Sequence, residues 1–308
     1  MPKPGATWLP ASLQPLLSPA LGAAAAMATA ARAPPESRLL EKGDCVLAAV
    51  ARLASSGDVA AAALMAHASV LPAWADLQRA QRGAAFFLRY LPACGACLLH
   101  LSLVGGYAAP RIARVLACGG ALGGSTSPRG LDRAYRRLLE TAQMVAEVMS
   151  APDAMMPLHG AGWRAVLRVR LLHASVRARM KKSDGCVEVP INQEDLIVTQ
   201  LAFSAVVVDG LERLMPEVDL DTEAVEDFLH LWRIVGHFMG IEDELNVACR
   251  SLADARVWLQ SLFAHLVHPD NTSRQLATAT LQAMELRPPR RATFAQVRHF
   301  KSGGGLII

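Results

Sequence analysis

The chain has 308 residues, which is enough for one large or two small domains with a sizeable core. Its net charge of +4 is too weak to indicate a nucleic-acid-binding protein without a local basic patch, and its 5% aromatic content disfavours base-stacking platforms. Hydrophobic residues make up 52% of the chain, and much of this share is Ala and Leu, which favours helices over strands.

The N-terminal segment 1–36 is predicted to be an apolar extension. Residues 4–31 carry no charge, and Pro10, Pro15 and Pro19 disfavour a regular helix in the first half. Lys3 lies ahead of this stretch and no acid precedes Glu36, as in many targeting segments. Two interpretations stay open: a leader that directs the protein to an organelle or a membrane, and a disordered tail.

After the break at Pro34-Pro35, residues 37–72 are predicted to form an Ala-rich helical hairpin, and residues 73–286 a helical domain. A basic tail, 287–308, is predicted to be exposed. Strand-like alternation, repeats and heptads are not found in the sequence, so we expect an all-α, multi-helix bundle. The predicted helices are 39–54, 59–69, 74–90, 110–116, 131–149, 163–182, one from 192 that Pro216 ends, 221–239, 242–267 and 271–285.

Residues 90–110 are uncharged when His100 is neutral, and their length fits a membrane span. Pro92 near the start, His100 in the middle and Gly105-Gly106 near the end favour a buried core helix followed by a turn instead. Cys94-Gly-Ala-Cys97 lies within this stretch. Because no second cysteine or histidine pair follows at zinc-ligand spacing, we expect buried free thiols.

His173 has an unusual setting on the helix predicted at 163–182. Arg170, His173 and Arg177 are three and four residues apart and share one face. Neighbouring cations lower the pKa of an imidazole, and a neutral imidazole is the form that binds a metal. The guanidiniums would bind anions such as haem propionates. The alternative is a solvated basic face with an incidental histidine, and residue chemistry by itself favours that alternative.

Arg137 and Thr141 form a second pair four residues apart, on the helix predicted at 131–149. Such a pair could place a guanidinium and a hydroxyl beside a ligand. The alternative is a solvated arginine and a threonine bonded back to its own helix, and on residue types alone this alternative is favoured.

Other candidate sites have weaker support. His230 and His237 share a face, but a di-iron bundle needs Glu-x-x-His on two helices, and only Asp227-x-x-His230 is present. Structural histidines are therefore the default interpretation. The basic run 164–182 lacks the aromatic interleaving of a nucleic-acid surface. Phosphate loops, nucleophile elbows and His-Glu-x-x-His motifs are not found.

Four motifs, in order, resemble the rubber oxygenase catalytic domain family, which includes latex-clearing proteins and the ER-bound oxygenase of mycophenolic acid biosynthesis. The similarity covers about residues 75–250. The motifs are Arg137-Leu-Leu-Glu-Thr141, the stretch 163–177 that ends His-Ala-Ser-Val-Arg, Asn192-Gln-Glu-Asp195, and 230–241, which reads His-Leu-Trp-Arg-Ile-Val-Gly-His-Phe-Met-Gly-Ile.

The resemblance implies an all-α, globin-like fold that binds haem b and uses O₂ to cleave carbon–carbon double bonds in isoprenoid chains. It implies that His173 is the axial iron ligand with Arg177 as its partner, and that Arg137 and Thr141 lie on the opposite side of the haem, where O₂ binds. Arg170 is added as a haem-binding residue on the His173 face.

Two departures bear on the chemistry. Some rubber-cleaving members have a Lys just before the threonine, where this chain has Glu140. A counterpart of the carboxylate proposed for rubber cleavage is not found. The resemblance therefore supports haem binding more strongly than rubber cleavage, and a smaller lipid or terpenoid substrate stays open.

The sequence thus predicts a haem b oxygenase that takes an apolar or polyisoprenoid substrate and O₂, with no nucleic-acid partner. Two alternatives remain. One is a non-catalytic helical haem-binding or membrane-associated scaffold, and the other is a metal-free helical interaction protein.

Overall fold

The structure is a computed structural model that describes residues 42–118, 124–180, 189–285 and 287. Within these ranges all regular structure is helical, which confirms the prediction of an all-α protein. The predicted extension 1–36 and the tail beyond residue 287 lie outside the described residues. The domain boundaries proposed from the sequence stay predictions.

The described helices, in chain order, are numbered α1 to α13. They are α1 Lys42–Ser55, α2 Val59–Ala68, α3 Leu77–Arg89, α4 Leu91–Cys97, α5 Val104–Gly106, α6 Pro110–Cys118, α7 Pro128–Val148, α8 Ala161–Met180, α9 Gln193–Phe203, α10 Ala205–Leu214, α11 Thr222–Met239, α12 Leu252–Leu266 and α13 Asn271–Ala283. A π-helix, Leu98–Leu103, joins α4 to α5, and a 3₁₀ turn, Asn246–Cys249, precedes α12.

Helix α11 is the centre of the core. Its residues are buried on all sides, among them Phe228, Leu231 and Phe238, because its sequence is apolar around most of its circumference. Helix α3 lies closely against it at Gly83, where a Cβ atom would come within 2.3 Å of the Asp227 carbonyl oxygen. A glycine at this position therefore sets the distance between the two helices.

The N-terminal hairpin α1–α2 is formed as the sequence predicts. Asp58 caps α2 by accepting a 2.8 Å hydrogen bond from the Ala61 N–H, and Gly57 takes the positive φ of 93° that the turn requires. The hairpin docks on the core where Trp163 of α8 donates its indole N–H to the Ala68 carbonyl at 2.7 Å.

The stretch from α4 to α5 is continuous helix, as predicted, but with a π-helical segment that the sequence did not indicate. Cys94 and Cys97 are buried thiols that take no part in a disulfide, which confirms that prediction, and Cys118 is an exposed thiol. A Cβ at Gly210 would lie 2.5 Å from the Cys97 sulfur, so α10 can pack here because residue 210 is glycine.

Among the described residues, a single helix long and apolar enough to cross a membrane is not found. Two bent pairs pass the same test of length and composition. They are Val46–Ser55 with Val59–Ala68, and Leu77–Arg89 with Leu91–Gly106.

The single helix predicted from residue 192 to Pro216 is wrong. The structure breaks it at Ser204, whose φ and ψ are −116° and −87°, into α9 and α10. The Ser204 hydroxyl donates to the Gln200 carbonyl at 2.8 Å, and such a bond offers the backbone an alternative to the helical ladder. Both halves are largely buried, as the apolar sequence predicts.

The single helix predicted over 242–267 is also wrong. A turn and the 3₁₀ segment come first, and α12 begins after Ser251. Ser251 accepts a 3.0 Å hydrogen bond from the Asp254 N–H and so caps α12. The serine side chain starts a new helix at a point where hydrophobic spacing alone showed no boundary.

Candidate functional site

Helices α7 and α8 pack against each other and carry the residues that the sequence singled out. Ser127 caps α7 by accepting a 3.2 Å hydrogen bond from the Gly130 N–H, with Pro128 at the first helical position. The start of α8 lies close to the end of α7, since a Cβ at Gly162 would come within 2.8 Å of the Val148 Cα. This contact fixes how the two helices align.

His173 is half-buried, and its Nδ1 atom is buried with no hydrogen-bond partner within the described part of the chain. Burial, and after it the charges of Arg177 and Arg137, lowers the pKa of His173 to about 4. The imidazole is therefore neutral at neutral pH. The sequence indicated the neighbouring cations as the cause, and the structure shows that desolvation is the larger one.

Arg177 lies one turn after His173 on α8 and contacts the backbone just ahead of α9. Its Nη1 donates to the Ile191 carbonyl at 3.2 Å. Ile191 has a φ of +54°, in the left-handed region that a β-branched residue rarely takes, so its backbone conformation is strained. Sequence reasoning missed Ile191, because nothing local indicates that its carbonyl accepts from α8.

Arg170 points to a different part of the core. Its Nη1 lies 3.1 Å from the Phe238 carbonyl and 3.2 Å from His67 Nδ1, and its guanidinium is 3.1 Å from where a Cβ of Gly240 would stand. It thus satisfies a carbonyl at the C-terminal end of α11. Its role in haem binding stays a prediction, and this geometry gives it a structural role.

Arg137 and Thr141 lie on α7, and Arg137 is near enough to His173 for its charge to lower the pKa of the imidazole. Arg137 forms an ion pair with Glu140. The Thr141 hydroxyl donates to the Arg137 carbonyl at 3.0 Å, as the alternative interpretation of the sequence expected. The structure therefore brings His173, Arg177 and Arg137 together, with Thr141 one turn away on the α7 surface.

The remaining histidine candidates have structural partners. His230 Nε2 accepts a 2.9 Å hydrogen bond from the Asp76 N–H, and Asp227 is paired with Arg79 at 2.7 Å. His237 lies 3.0 Å from Asp243 and stacks on His67 with ring centroids 4.4 Å apart.

These contacts agree with the default interpretation of structural histidines. In the described ranges, three or more His, Cys, Asp or Glu side chains do not come together as a metal site.

The motif Asn192-Gln-Glu-Asp195 begins α9 and connects it to α11. Asn192 and Asp195 form a reciprocal capping box. Gln193 donates to the Gly240 carbonyl at 3.0 Å and accepts from the Glu242 N–H at 3.2 Å. This motif therefore shapes the scaffold behind the site, and its side chains are engaged by the protein.

A family model described as "ER-bound oxygenase mpaB/B'/Rubber oxygenase, catalytic domain" matches residues 88–302, more than two thirds of the chain. The chain belongs to this family. The match confirms the resemblance inferred from the four motifs and extends beyond the 75–250 range toward the C-terminus.

One protein sequence and one solved structure are similar to this member of the rubber oxygenase family. The "Rubber oxygenase" of Streptomyces sp. (strain K30) is 27% identical over 204 residues, which cover 62% of this chain and 46% of the relative. The chain thus spans about half the length of that protein. A solved structure of latex clearing protein LCP in the closed state has a TM-score of 0.56 and 24% identity, and the match covers 81% of this chain and 70% of that one. This second likeness shows a shared helical fold.

Proposed function

We propose that this member of the rubber oxygenase family is a haem b-dependent oxygenase that acts on an apolar, isoprenoid or lipid-like substrate. The observation that carries the proposal is the half-buried, neutral His173, whose buried Nδ1 has no partner in the described chain, with Arg177 and Arg137 nearby. The family membership supplies the class of reaction. The relative named rubber oxygenase supports a polyisoprenoid as the substrate class.

The residues present fit a haem. Iron binds neutral imidazole, and burial keeps His173 neutral. A buried imidazole nitrogen without a hydrogen-bond partner lowers the stability of the fold, and a bound ligand would give the imidazole a partner. Arg177 supplies positive charge for the propionates. Haem b, when bound, supplies the oxidation by O₂ that opens a carbon–carbon double bond.

The protein's own groups then have separate tasks. His173 would hold the iron, and Arg177, whose guanidinium donates to the Ile191 carbonyl, keeps its charge beside the imidazole. Arg137 is partly neutralised by Glu140, so its guanidinium orients a polar group through hydrogen bonds more than through net charge. Thr141 donates its hydroxyl proton to the Arg137 carbonyl and can offer a ligand only an acceptor oxygen.

The test is the absorption spectrum of the full chain expressed with a haem precursor. We expect a Soret band that His173→Ala abolishes or shifts, because the axial nitrogen is lost. His265→Ala is the matched control, since His265 is 67% exposed and lies on α12. An unchanged spectrum in His173→Ala would overturn the assignment of the ligand.

A second candidate is a non-catalytic haem-binding scaffold. The observation that favours it is the ion pair between Arg137 and Glu140, where some rubber-cleaving members have a lysine beside the threonine. Oxygen consumption separates the two. A haem-loaded protein that consumes O₂ with polyisoprenoids or prenylated aromatics is an oxygenase, and one that binds haem without consuming O₂ is the scaffold.

A further inference from the structure

The hairpin α1–α2 meets the core through a pair of stacked histidines. His67, in the last turn of α2, stacks on His237 of α11 with ring centroids 4.4 Å apart and an angle of 18° between the ring planes. Ala68, the next residue, is fully buried in the core and accepts the Trp163 hydrogen bond, whereas most residues of α2 are exposed. A segment that depends on a few contacts at one end can detach while the rest of a protein stays folded.

Arg170 of α8 determines which protonation state of His67 this contact requires. The Arg170 Nη1 atom lies 3.2 Å from His67 Nδ1. A guanidinium has hydrogen-bond donors and no acceptor, so Nδ1 must be unprotonated to accept this bond. A proton added to Nδ1 would break the bond and would place a second positive charge against the guanidinium. The docked hairpin therefore requires a neutral His67.

The other charged groups around the stack do not offset a charge on His67. Asp243, in the turn after α11, faces the stack, but its Oδ1 lies 3.0 Å from His237 Nδ1 and accepts from that ring. Arg233 of α11 adds positive charge beside Asp243. Burial of His67, and after it the charges of His237 and Arg170, lowers the pKa of this imidazole. The Asp243 charge raises the same pKa by less, so the net direction is downward from about 6.5.

We propose that protonation of His67 releases the hairpin α1–α2 from α8 and α11, so that the hairpin is docked at neutral pH and detached in acid. In the detached hairpin His67 is in water, where its pKa returns to about 6.5. The detached form then binds more protons than the docked form. The contribution of neutral His67 to docking is therefore complete above about pH 6.5 and is lost as the pH falls below this value.

The proposal goes beyond the oxygenase function and does not depend on it, since docking of the hairpin requires neither haem nor turnover. It has one consequence for the candidate site. Arg170 lies one turn before His173 on α8, and α1 packs against the same helix. If the oxygenase proposal also holds, acid would remove two contacts that support α8 close to the candidate iron ligand.

The experiment is hydrogen exchange of the full chain, followed by mass spectrometry at several pH values and divided by the intrinsic exchange rate at each pH. For one histidine that stays neutral while docked, opening of the hairpin should increase by up to about tenfold from about pH 7.5 to about pH 5.5. Peptides from α1 and α2 should show this increase. Peptides from α11 should stay protected at the same labelling times, because that helix is buried on all sides.

Two substitutions at His67 test the assignment. His67→Gln keeps an acceptor for Arg170, and His67→Phe keeps a ring on His237, but neither side chain titrates. Both variants should show hairpin exchange that does not change with pH. His159→Gln is the matched control, since His159 is exposed in the loop between α7 and α8, and it should keep the wild-type increase.

A wild-type hairpin whose corrected exchange is independent of pH would overturn the proposal. So would a wild-type increase that persists in both His67 variants, since another group would then be responsible. Exchange of α11 together with the hairpin would also overturn it, because acid would then unfold the whole protein rather than detach one segment.

Discussion

At the scale of single residues, Asp227 and His173 differ in how the protein satisfies a buried polar group. The Asp227 carboxylate is 1% exposed and is held by two arginines, Arg79 at 2.7 Å and Arg82 at 2.5 Å. The His173 imidazole has a buried nitrogen without a partner in the described chain. Asp227 therefore has a structural role, whereas the unpartnered nitrogen of His173, which lies near the charges of Arg177 and Arg137, is the reason for proposing a ligand there.

Asp227→Asn should destabilise the fold by about 1–3 kcal/mol, because two charge-assisted hydrogen bonds lose their acceptor charge while both arginines can still reach water. The measurement is the free energy of unfolding in urea. Glu140→Gln is the control, since the exposed pair with Arg137 contributes about 0.5 kcal/mol or less. Equal stability of the two variants would contradict the structural role of Asp227.

At the scale of helices, contacts between small residues set how α3, α7 and α8 lie in the core. Gly83 lets α3 approach the α11 backbone, and Gly162 lets α8 start against the end of α7. The second contact matters for the site, because it determines which turn of α7 stands opposite His173. A second small core between α7 and α13, with Tyr107 bonded to Thr280 at 3.0 Å, supports α7 from its other side.

Gly83→Ala should cost about 3 kcal/mol or more, because the new methyl group would stand 2.3 Å from the Asp227 carbonyl oxygen and backbone atoms cannot rotate away. Thermal and urea unfolding measure this loss. Gly95→Ala is the matched control within a helix. Gly95 is exposed with open space around it, so the alanine should stabilise α4 by about 0.5–1 kcal/mol. A Gly83→Ala variant as stable as Gly95→Ala would refute the close approach of α3 and α11.

At the scale of the whole molecule, buried neutral histidines make stability depend on pH. His173 and His230 both have a folded-state pKa lowered to about 4, mainly by burial, against about 6.5 in an unfolded chain. The unfolded chain then binds more protons than the folded chain between these values. The contribution of these two neutral histidines to the free energy of unfolding is therefore complete above about pH 6.5, and it is lost as the pH falls from about 6.5 through about 4.

In the variant His230→Gln the free energy of unfolding should depend less on pH. The substitution removes one imidazole that must stay neutral to accept the hydrogen bond from the Asp76 N–H. We expect it to be less stable than the wild type at pH 7 but to lose less on acidification, with the histidine accounting for up to about 3 kcal/mol. Urea unfolding at several pH values measures the two slopes. His159→Gln, at an exposed position, should keep the wild-type slope. A His230→Gln slope equal to that of the wild type would exclude His230 as a source.

The sequence by itself predicted those features that depend on residues within one or two helical turns of each other. Apolar spacing and the absence of strand-like alternation predicted an all-α fold. The helices predicted at 59–69 and 221–239 agree within one residue at each end with the observed helices Val59–Ala68 and Thr222–Met239. The four motifs were sufficient to identify the family, and helix spacing put His173 and Arg177 on one face.

Only the tertiary structure decided the features that depend on residues far apart in the chain. It broke the apolar run at Ser204, placed the Arg170 guanidinium against the Phe238 carbonyl at the end of α11, and paired Arg177 with the Ile191 carbonyl. It also made burial, more than charge, the cause of the lowered pKa of His173. The physical reason is the same in each case. Desolvation and hydrogen-bond partners are properties of the packed interior, and spacing along a helix carries no information about which distant atoms will pack there.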